Sequence, residues 1–492
     1  MTDTTADALH DAARAHEAGL RYPEAATAWQ AYLAARPVDG NAWYNLGRVL
    51  RRMRRLDDAL DAYAEALRQG AADPWEVHLN RGVILSDDLL RPEEARVELE
   101  TALTLNPAYV PAWLNLGNLH EDQGRREPAR EAYQRALALR PDDPMALSRL
   151  AGLVPEPVGA DEPMIGRLRE AVTAVRGQDV SAMLDRADLG FALGRLLDSS
   201  GAYDEAFAAY RLANNASAAT GAGRGVRYDR AATEAVVDKL IAIAPPPLPP
   251  IEDDGPATVF ICGMFRSGST LAERILAAHS KASAGGEMDL LPAIARNAFN
   301  PFPEALAVLD ADSRRKLRDA YLGGLRERVA PALVMTDKRP DNILYLSLAK
   351  ALFPKAKIIH TVRDPMDNCL SVYFLHLSMA YAQDLEDTAH WLAQERRLAA
   401  HWKTLWPDDV HTVDYDALVA DPEPAVRDLL AFCGLDWEPG VMDFHTRGGP
   451  VRTASVWQVR EPLYQRSSGR WRNYEAHLGG LRKALEGHGL ID

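Results

Sequence analysis

Between Thr258 and Leu276 the sequence reads Thr-Val-Phe-Ile-Cys-Gly-Met-Phe-Arg-Ser-Gly-Ser-Thr-Leu-Ala-Glu-Arg-Ile-Leu. The apolar start predicts a buried strand, and a loop of small residues from Gly263 to Thr270 follows it. The later apolar residues have the spacing of a helix face. A strand, a glycine-containing loop and a helix form an anion site, because loop N–H groups and the positive end of the helix dipole converge there. The segment therefore predicts a phosphate-binding turn.

The charge in this loop differs from that of a nucleotide triphosphatase. Gly263 and Gly268 have the G-x-x-x-x-G spacing of a P-loop, but Ser269 stands where the lysine should follow. That lysine reaches the β- and γ-phosphates, so its absence disfavours an ATPase, a GTPase or a kinase. Arg266 supplies a positive charge inside the loop instead. We expect a terminal 5′-phosphate group to bind here, and a tight turn without a ligand is the alternative when the loop is taken alone.

Composition limits the possible functions. The 492 residues are enough for two or three domains, and the formal net charge of −14 argues against non-specific nucleic-acid binding. The chain has three cysteines, which form no disulfide framework, and no apolar run of membrane-spanning length. The first residues lack the features of a signal peptide. We therefore expect a cytoplasmic protein, and because its cysteines and histidines have no metal-ligand spacing we expect no metal.

A period of about 34 residues runs through residues 6–143. Its clearest copy contains Trp113, Leu116, Gly117, Ala129, Tyr133, Ala136 and Pro141. The copy before it contains Gly82, Ala95, Leu99, Ala102 and Pro107, with one residue inserted between its helices. A detached later copy contains Leu193, Gly194, Ala206, Tyr210 and Ala213. Glycine and alanine at these positions let the two helices of a hairpin approach closely.

These residues resemble the tetratricopeptide repeat, in four consecutive copies and a detached fifth. The resemblance implies an all-α solenoid whose concave groove binds a peptide or a protein. An equally weighted alternative is that the repeats only pack on the catalytic half and shape its entrance.

The sequence divides into four predicted parts. They are tetratricopeptide repeats (1–150), a helical extension with the fifth repeat (151–243), a proline-rich linker (244–257) and a domain that carries the chemistry (258–492). The linker begins Ala-Pro-Pro-Pro-Leu-Pro-Pro, which can form neither a helix nor the interior of a sheet.

The second half of the chain alternates strand-like and helix-like segments. Strands are predicted at Leu333–Met335, Lys357–Val362 and His411–Val413 in addition to the first one. This alternation predicts an α/β domain with a parallel sheet, in which ligands bind beyond the carboxyl ends of the strands. Arg363 directly follows a strand and Ser371 comes eight residues later, so we expect a second anion-binding clamp there.

Five motifs follow one another after Thr258. They are Phe-Arg-Ser-Gly-Ser-Thr-Leu (265–271), Gly-Glu (286–287), Asp-Lys-Arg-Pro-Asp-Asn (337–342), Val-Arg-Asp-Pro…Ser (362–371) and Val-Asp-Tyr-Asp-Ala-Leu-Val (413–419). In this order they resemble the sulfotransferases that use 3′-phosphoadenosine 5′-phosphosulfate (PAPS). The tyrosylprotein branch is most similar, together with bacterial proteins that fuse tetratricopeptide repeats to such a domain. The resemblance spans nearly all of residues 258–475 and implies a P-loop-like sulfotransferase fold.

The resemblance also implies a role for each motif residue. Glu287 would be the base that takes the proton of an acceptor hydroxyl, and Lys338 with Ser455 would stabilise the leaving phosphate. The residues implied to hold PAPS are Arg266, Ser267, Gly268, Ser269 and Thr270 on the 5′ side, Arg363 and Ser371 on the 3′-phosphate, and Tyr415 and Arg470. We interpret His360, which lies inside an apolar strand, as structural.

The chain departs from the tyrosylprotein branch in two ways. Leu375 stands where that branch has a further basic residue, four positions after Ser371. The membrane anchor and disulfides of that branch also have no counterpart here. The acceptor therefore stays open between a peptide tyrosine, a glycan and the hydroxyl of a small metabolite.

Two functions compete at this point. One is a PAPS-dependent sulfotransferase whose repeats recruit or orient the acceptor. The other is a tetratricopeptide scaffold whose nucleotide-binding domain is catalytically idle. The joint presence of Glu287, Lys338 and Ser455 favours the enzyme, since a scaffold needs none of them.

Overall fold

The structure is a computed structural model that describes residues 3–222, 226–243, 257–327, 329–446 and 467–492. It divides into two compact units, Met1–Leu153 and Val154–Asp492. No helix in these described ranges is both long enough and apolar enough to cross a bilayer.

The first unit is a series of antiparallel helix hairpins. Its helices are α1 (Asp3–Ala18), α2 (Tyr22–Ala35), α3 (Gly40–Arg52), α4 (Leu56–Arg68), α5 (Pro74–Val83), α6 (Pro92–Leu105), α7 (Val110–Asp122), α8 (Arg126–Leu139) and α9 (Pro144–Gly152). Successive helices pair as α1–α2, α3–α4, α5–α6 and α7–α8, with α9 packed on α8. This arrangement confirms the predicted solenoid of four repeats.

A close glycine contact explains the repeat pattern. A Cβ at Gly117 would lie 2.3 Å from Cε1 of Tyr133, and one at Gly47 would lie 2.7 Å from the ring of Tyr63. Any larger residue would therefore push the two helices of the hairpin apart. The residue inserted into the third repeat is accommodated in a π-helical turn at Ile84–Asp88, directly after α5.

In the described part of the chain, the second unit begins with four helices and continues into the α/β domain. The helices before the sheet are α10 (Pro163–Ala174), α11 (Val180–Ser199), α12 (Tyr203–Ala222) and α13 (Arg230–Ala242). The strands are β1 (Ala257–Gly263), β2 (Ala282–Ala284), β3 (Val334–Lys338), β4 (Lys357–Val362) and β5 (Val410–Asp414). The later helices are α14 (Ser269–Ala277), α15 (Leu290–Ala298), α16 (Ala311–Arg326), α17 (Leu346–Leu352), α18 (Pro365–Tyr373), α19 (Leu385–Leu405), α20 (Tyr415–Ala420), α21 (Pro422–Phe432) and α22 (Gly479–Gly487).

The five strands found among the described residues form one parallel sheet in the order β2-β3-β1-β4-β5. The chain passes from β1 to β2 and β3 on one side and then to β4 and β5 on the other, so the order reverses at β1. In the register, Ile261 of β1 lies beside Lys338 and Gly263 lies beside Thr361. The predicted α/β class is confirmed, and β3 extends three residues past the predicted Met335 to include Lys338.

Side chains of β1 alternate between two buried faces. Phe260 and Cys262 belong to a core with α13, α15–α17 and α19, whereas Val259 and Ile261 belong to a core with α14, α20 and α21. Both faces of the sheet are therefore covered.

The helices before the sheet are part of the second unit. Val237 and Leu240 of α13 are buried in the same core as Phe260. The hairpin α11–α12 repeats the contact of the first unit, because a Cβ at Gly194 would lie 2.7 Å from the ring of Tyr210. The sequence alone predicts residues 151–243 as an extension that a linker at 244–257 separates from the α/β domain. Residues 244–256 of that linker lie outside the described residues.

Candidate active site

Two glycines shape the loop between β1 and α14. Gly263 has φ 141°, and a Cβ there would lie 2.4 Å from the carbonyl oxygen of Thr361. Gly268 has φ 103°, and a Cβ there would lie 2.9 Å from Cδ2 of Tyr415. The loop is thus packed tightly against β4 and against the residue that follows β5. Because α14 starts at Ser269, the loop ends at a helix N-terminus, which favours an anion.

Ser267 is an internal brace of the loop. Its hydroxyl donates to the carbonyl oxygen of Met264 at 2.6 Å and bonds Oγ1 of Thr361 at 2.7 Å. The residue is completely buried. The sequence predicts Ser267 as a cofactor contact. In the structure, its hydroxyl forms hydrogen bonds to other protein atoms.

The two predicted anion clamps meet in the structure. Nε of Arg266, in the loop, donates to Oγ of Ser371 on α18 at 3.2 Å. Nη1 of Arg363 lies 3.5 Å from the carbonyl oxygen of Arg266. The sequence separates these residues by about a hundred positions, but the sheet brings them to one edge. The site therefore carries two arginines side by side.

Arg363 has a donor that the described part of the protein leaves unsatisfied. The residue is 6% exposed, and its guanidinium lies 4.9 Å from the centroid of the Tyr415 ring. Its Nη2 donates to the carbonyl oxygen of Ser467. Its Nε is buried and has no hydrogen-bond partner among the described residues. A buried donor without a partner is costly, and an anion such as a phosphate would satisfy it.

Lys338 and Glu287 form an ion pair next to this edge. Nζ of Lys338 lies 2.6 Å from Oε1 of Glu287. The lysine side chain is 1% exposed and the glutamate side chain 39%, so the cation is buried beneath a carboxylate that solvent reaches. The backbone fixes both residues, since the Lys338 N–H donates to the carbonyl oxygen of Gly286 at 3.0 Å. In this arrangement the exposed carboxylate of Glu287 can accept a proton, and the buried ammonium group of Lys338 holds a positive charge beneath it.

Two further predicted site residues are Arg470 and Ser455. Arg470 donates to the carboxylate of Asp198 on α11, and no described contact joins it to the loop or to Arg363. Ser455 lies outside the described residues. Within the described part of the chain, no cluster of three or more His, Cys, Asp or Glu side chains could hold a metal ion.

Family comparisons agree with this geometry. Residues 256–439 match the sulfotransferase family, and residues 10–74 and 91–152 match tetratricopeptide repeats. Residues 256–439 are a sulfotransferase-family domain. The resemblance of the five motifs to the sulfotransferase family is thereby confirmed, together with that of the consecutive repeats to the tetratricopeptide repeat.

Individual relatives cover only parts of the chain. A protein of Aquifex aeolicus (strain VF5) is 32% identical over 324 residues, which are 61% of this chain and 41% of that protein. The protein-tyrosine sulfotransferase of Drosophila melanogaster is 23% identical over 43% of this chain and 46% of its own. The chain thus spans less than two thirds of either relative. The solved sulfotransferase domain of the Synechococcus PCC 7002 olefin synthase is 22% identical, with a TM-score of 0.36, over 50% of this chain and 98% of that domain.

The sulfotransferase domain also contains a buried glutamate that the sequence analysis does not single out. Oε1 of Glu273, on α14, accepts from the Gly286 N–H at 3.0 Å and from the Thr336 hydroxyl at 2.7 Å. Burial raises the pKa of the Glu273 carboxyl, and the nearby Lys338 opposes that shift. Glu273 therefore ties the turn before Glu287 to the strand that ends at Lys338. Its only sequence signal is a carboxylate among the apolar residues of the helix face.

A second buried carboxylate of the sulfotransferase domain directly precedes Lys338. Asp337 accepts from the Tyr321 hydroxyl at 2.7 Å and from Nδ2 of Asn342 at 2.9 Å. Burial raises the pKa of Asp337 to about 6, although both donors favour its ionised form. Because an ordinary aspartate has a pKa of 3.8, the folded chain holds this proton more tightly than the unfolded chain does. The resulting stabilisation is present at low pH and is lost as the pH rises through about 6.

We expect Asp337→Asn to remove this pH dependence. Asparagine can keep both hydrogen bonds, because the Tyr321 hydroxyl can also accept one. Between about pH 5 and 7 the wild type should lose roughly 1.4 kcal/mol more unfolding free energy than the variant. Urea denaturation of both proteins at the two pH values measures the difference. The same pH slope in both would show that Asp337 is not the group responsible.

Proposed function

We propose that this protein is a sulfotransferase that moves a sulfuryl group from PAPS to an acceptor hydroxyl. The observation that carries the proposal is the Lys338–Glu287 pair, 2.6 Å apart, on the same sheet edge as the phosphate loop and Arg363. A buried lysine is unfavourable unless a charge partner compensates it. Here that partner is a carboxylate open to solvent, which suits a base that must meet an incoming hydroxyl.

The residues around the loop fit PAPS. When bound, PAPS supplies an activated sulfuryl group joined to its 5′-phosphate. The loop N–H groups and the N-terminus of α14 would hold the 5′ side. Arg363 and Ser371 would hold the 3′-phosphate, and the unsatisfied Nε of Arg363 gives this side a donor with no other use among the described residues. Tyr415 supports the site by packing on Gly268 and under Arg363.

The chain's own residues divide the chemical work. Oε1 or Oε2 of Glu287 accepts the proton of the acceptor hydroxyl. Nζ of Lys338 provides a fixed positive charge where negative charge develops during transfer. Glu273 keeps these two groups in register through Gly286 and Thr336. A fixed geometry of this kind lowers the barrier because no reorganisation is needed at the moment of reaction.

We further propose that the acceptor is a peptide or protein, with tyrosine as the candidate hydroxyl, and that the repeats recruit it. Two observations support this. Relatives of the sulfotransferase domain include protein-tyrosine sulfotransferases of Drosophila melanogaster and Danio rerio. The first unit consists of repeats of the kind that binds peptides in a groove.

Arg363→Ala should abolish the preference of the protein for a 3′-phosphate. Each charge-assisted hydrogen bond contributes about 1.5–3 kcal/mol, so the wild type should bind 3′-phosphoadenosine 5′-phosphate (PAP) at least about tenfold more tightly than AMP. The variant should bind the two ligands equally. Isothermal titration calorimetry measures both affinities, and Arg315→Ala, at an exposed arginine on α16, is the matched control. Equal binding of PAP and AMP by the wild type would contradict the clamp.

Glu287→Gln should reduce turnover by roughly 10²–10⁴ while PAP affinity stays unchanged, because it removes only the proton acceptor. Lys338→Ala should reduce turnover by at least the same factor, because the fixed cation is lost. Transfer of ³⁵S from labelled PAPS to a panel of tyrosine peptides, glycans and small phenols measures turnover. Lys316→Ala, at an exposed lysine, is the control. If Glu287→Gln kept most of the wild-type rate, Glu287 would not be the base.

A chain that starts at Val154 should separate the two tasks of the protein, because the second unit is compact by itself. We expect it to bind PAP with wild-type affinity and to sulfate short tyrosine peptides. Its turnover on long peptides should fall, because the groove that orients them is gone. Calorimetry and ³⁵S transfer on peptides of increasing length test this. Loss of PAP binding by a folded fragment, or equal loss on all peptide lengths, would count against this division of labour.

A further inference from the structure

We propose that Asp198 of α11 is a positioning residue for Arg363, so that the repeat-like hairpin α11–α12 is part of the nucleotide site. The connection runs through residues Ser467–Trp471, which we call the anchored segment. The inference rests on the proposed function in one respect, namely that Arg363 binds the 3′-phosphate of the nucleotide.

The anchored segment is held to the site at successive residues. The carbonyl oxygen of Ser467 accepts from Nη2 of Arg363. The Ser468 hydroxyl donates to Asp416, whose other carboxylate oxygen accepts from the Asp364 N–H at 2.8 Å. The segment is therefore bonded to the residues that directly follow β4 and β5.

A buried aspartate on α18 completes this attachment. Asp367 is 2% exposed and accepts from the backbone N–H groups of Gly469 and Trp471, the latter at 2.8 Å. These bonds fix the backbone on both sides of residue 470. The side chain of Arg470 is consequently directed by the protein and does not extend freely into solvent.

Asp198 receives that side chain. Its carboxylate accepts from Nη2 of Arg470 and, at 3.3 Å, from Nε. It also accepts from the Tyr474 hydroxyl. The side chains of Arg470 and Asp198 are 28% and 14% exposed, so water screens the pair only partly. The Asp198 carboxylate thus accepts three hydrogen bonds, two from Arg470 of the anchored segment and one from Tyr474, which follows that segment.

The hairpin itself is fixed on α18. Nδ2 of the buried Asn214 donates to the carbonyl oxygen of Tyr373 at 2.8 Å. The rings of Tyr210 and Phe374 stack with centroids 4.0 Å apart. The guanidinium of Arg470 lies 5.1 Å from the centroid of the same Phe374 ring. Asp198 is therefore held at a defined place relative to the helix that carries Ser371.

These contacts form a closed circuit around the 3′-phosphate clamp. One path runs from α11 through Arg470 and Ser467 to Arg363, and the other runs from α12 to α18. Because Nη2 of Arg363 is bonded to Ser467, the direction of its unsatisfied Nε depends on where the anchored segment stands. Removing the charge of Asp198 leaves Arg470 without its carboxylate partner, and we expect the segment to shift.

The test is the effect of Asp198→Asn on the discrimination between PAP and AMP. In calorimetry on the full-length protein, PAP affinity should fall about tenfold, the equivalent of one charge-assisted hydrogen bond, and AMP affinity should change less than about twofold. Asp198→Glu keeps the charge and should recover part of the lost PAP affinity. A purely structural role would weaken both ligands together, which the ratio of the two affinities distinguishes.

Asp204→Asn is the matched control. Asp204 also joins the hairpin to the C-terminal chain, since it lies 2.7 Å from Nε2 of His477. It is 89% exposed, and its partner lies beyond the anchored segment. The ratio of PAP to AMP affinity should not change in this variant. If Asp198→Asn does not fold, as judged by its melting temperature, Arg470→Lys tests the same link and should reduce that ratio.

Three outcomes would overturn the inference, and they are distinguishable. A wild type that binds PAP and AMP equally would remove the 3′-phosphate clamp of the proposed function, and the inference would fail with it. A wild type that prefers PAP, with the same preference in Asp198→Asn and Arg470→Lys, would leave the proposed function intact and reject only the role of Asp198. An equal loss of affinity for both ligands would show that Asp198 only stabilises the fold.

Discussion

Parallel pairing of β1 with both β3 and β4 is the constraint on which the rest of the second unit depends. It sets Ile261 beside Lys338 and Gly263 beside Thr361, two residues before Arg363. The loop after β1, the cation at the end of β3 and the cation after β4 therefore reach the same edge of the sheet. Gly263 permits this approach, because any side chain there would collide with β4. Without this register the charged residues would lie on separate parts of the surface.

Charged groups at this edge are maintained by a layer of buried polar residues. Glu273 links Gly286 with Thr336, Asp337 is satisfied by Tyr321 and Asn342, and Asp367 holds the backbone of the anchored segment. His360 of β4 and Glu395 of α19 form a further buried pair, 2.6 Å apart, in keeping with the structural interpretation of that histidine. Each buried group costs desolvation energy, and hydrogen bonds offset that cost only in one arrangement. This layer consequently stabilises one geometry of the site.

One hairpin design serves two purposes in this chain. In the first unit the glycine–tyrosine contact occurs in the hairpins α3–α4 and α7–α8, and each hairpin buries the apolar face of the next. In α11–α12 the same contact forms, but the hairpin packs on α18 through Tyr210 and Asn214. The hairpin α11–α12 is not stacked in the series of repeats, so its apolar residues must be buried against another element. Here the sulfotransferase domain covers them.

The sequence by itself determined the repeats, the parallel sheet and the glycine-containing loop after its first strand, and it placed Arg266 in that loop and Lys338 and Arg363 near strand ends. These features depend on local spacing, which the order of residues records directly. Only the tertiary structure decided that the Ser267 hydroxyl turns inward, that Glu273 supports the ion pair and that Arg470 binds Asp198. Arg470 and Asp198 are 272 positions apart, and the other two contacts likewise join different elements. Such contacts follow from how the elements pack, and no local periodicity in the chain records that packing.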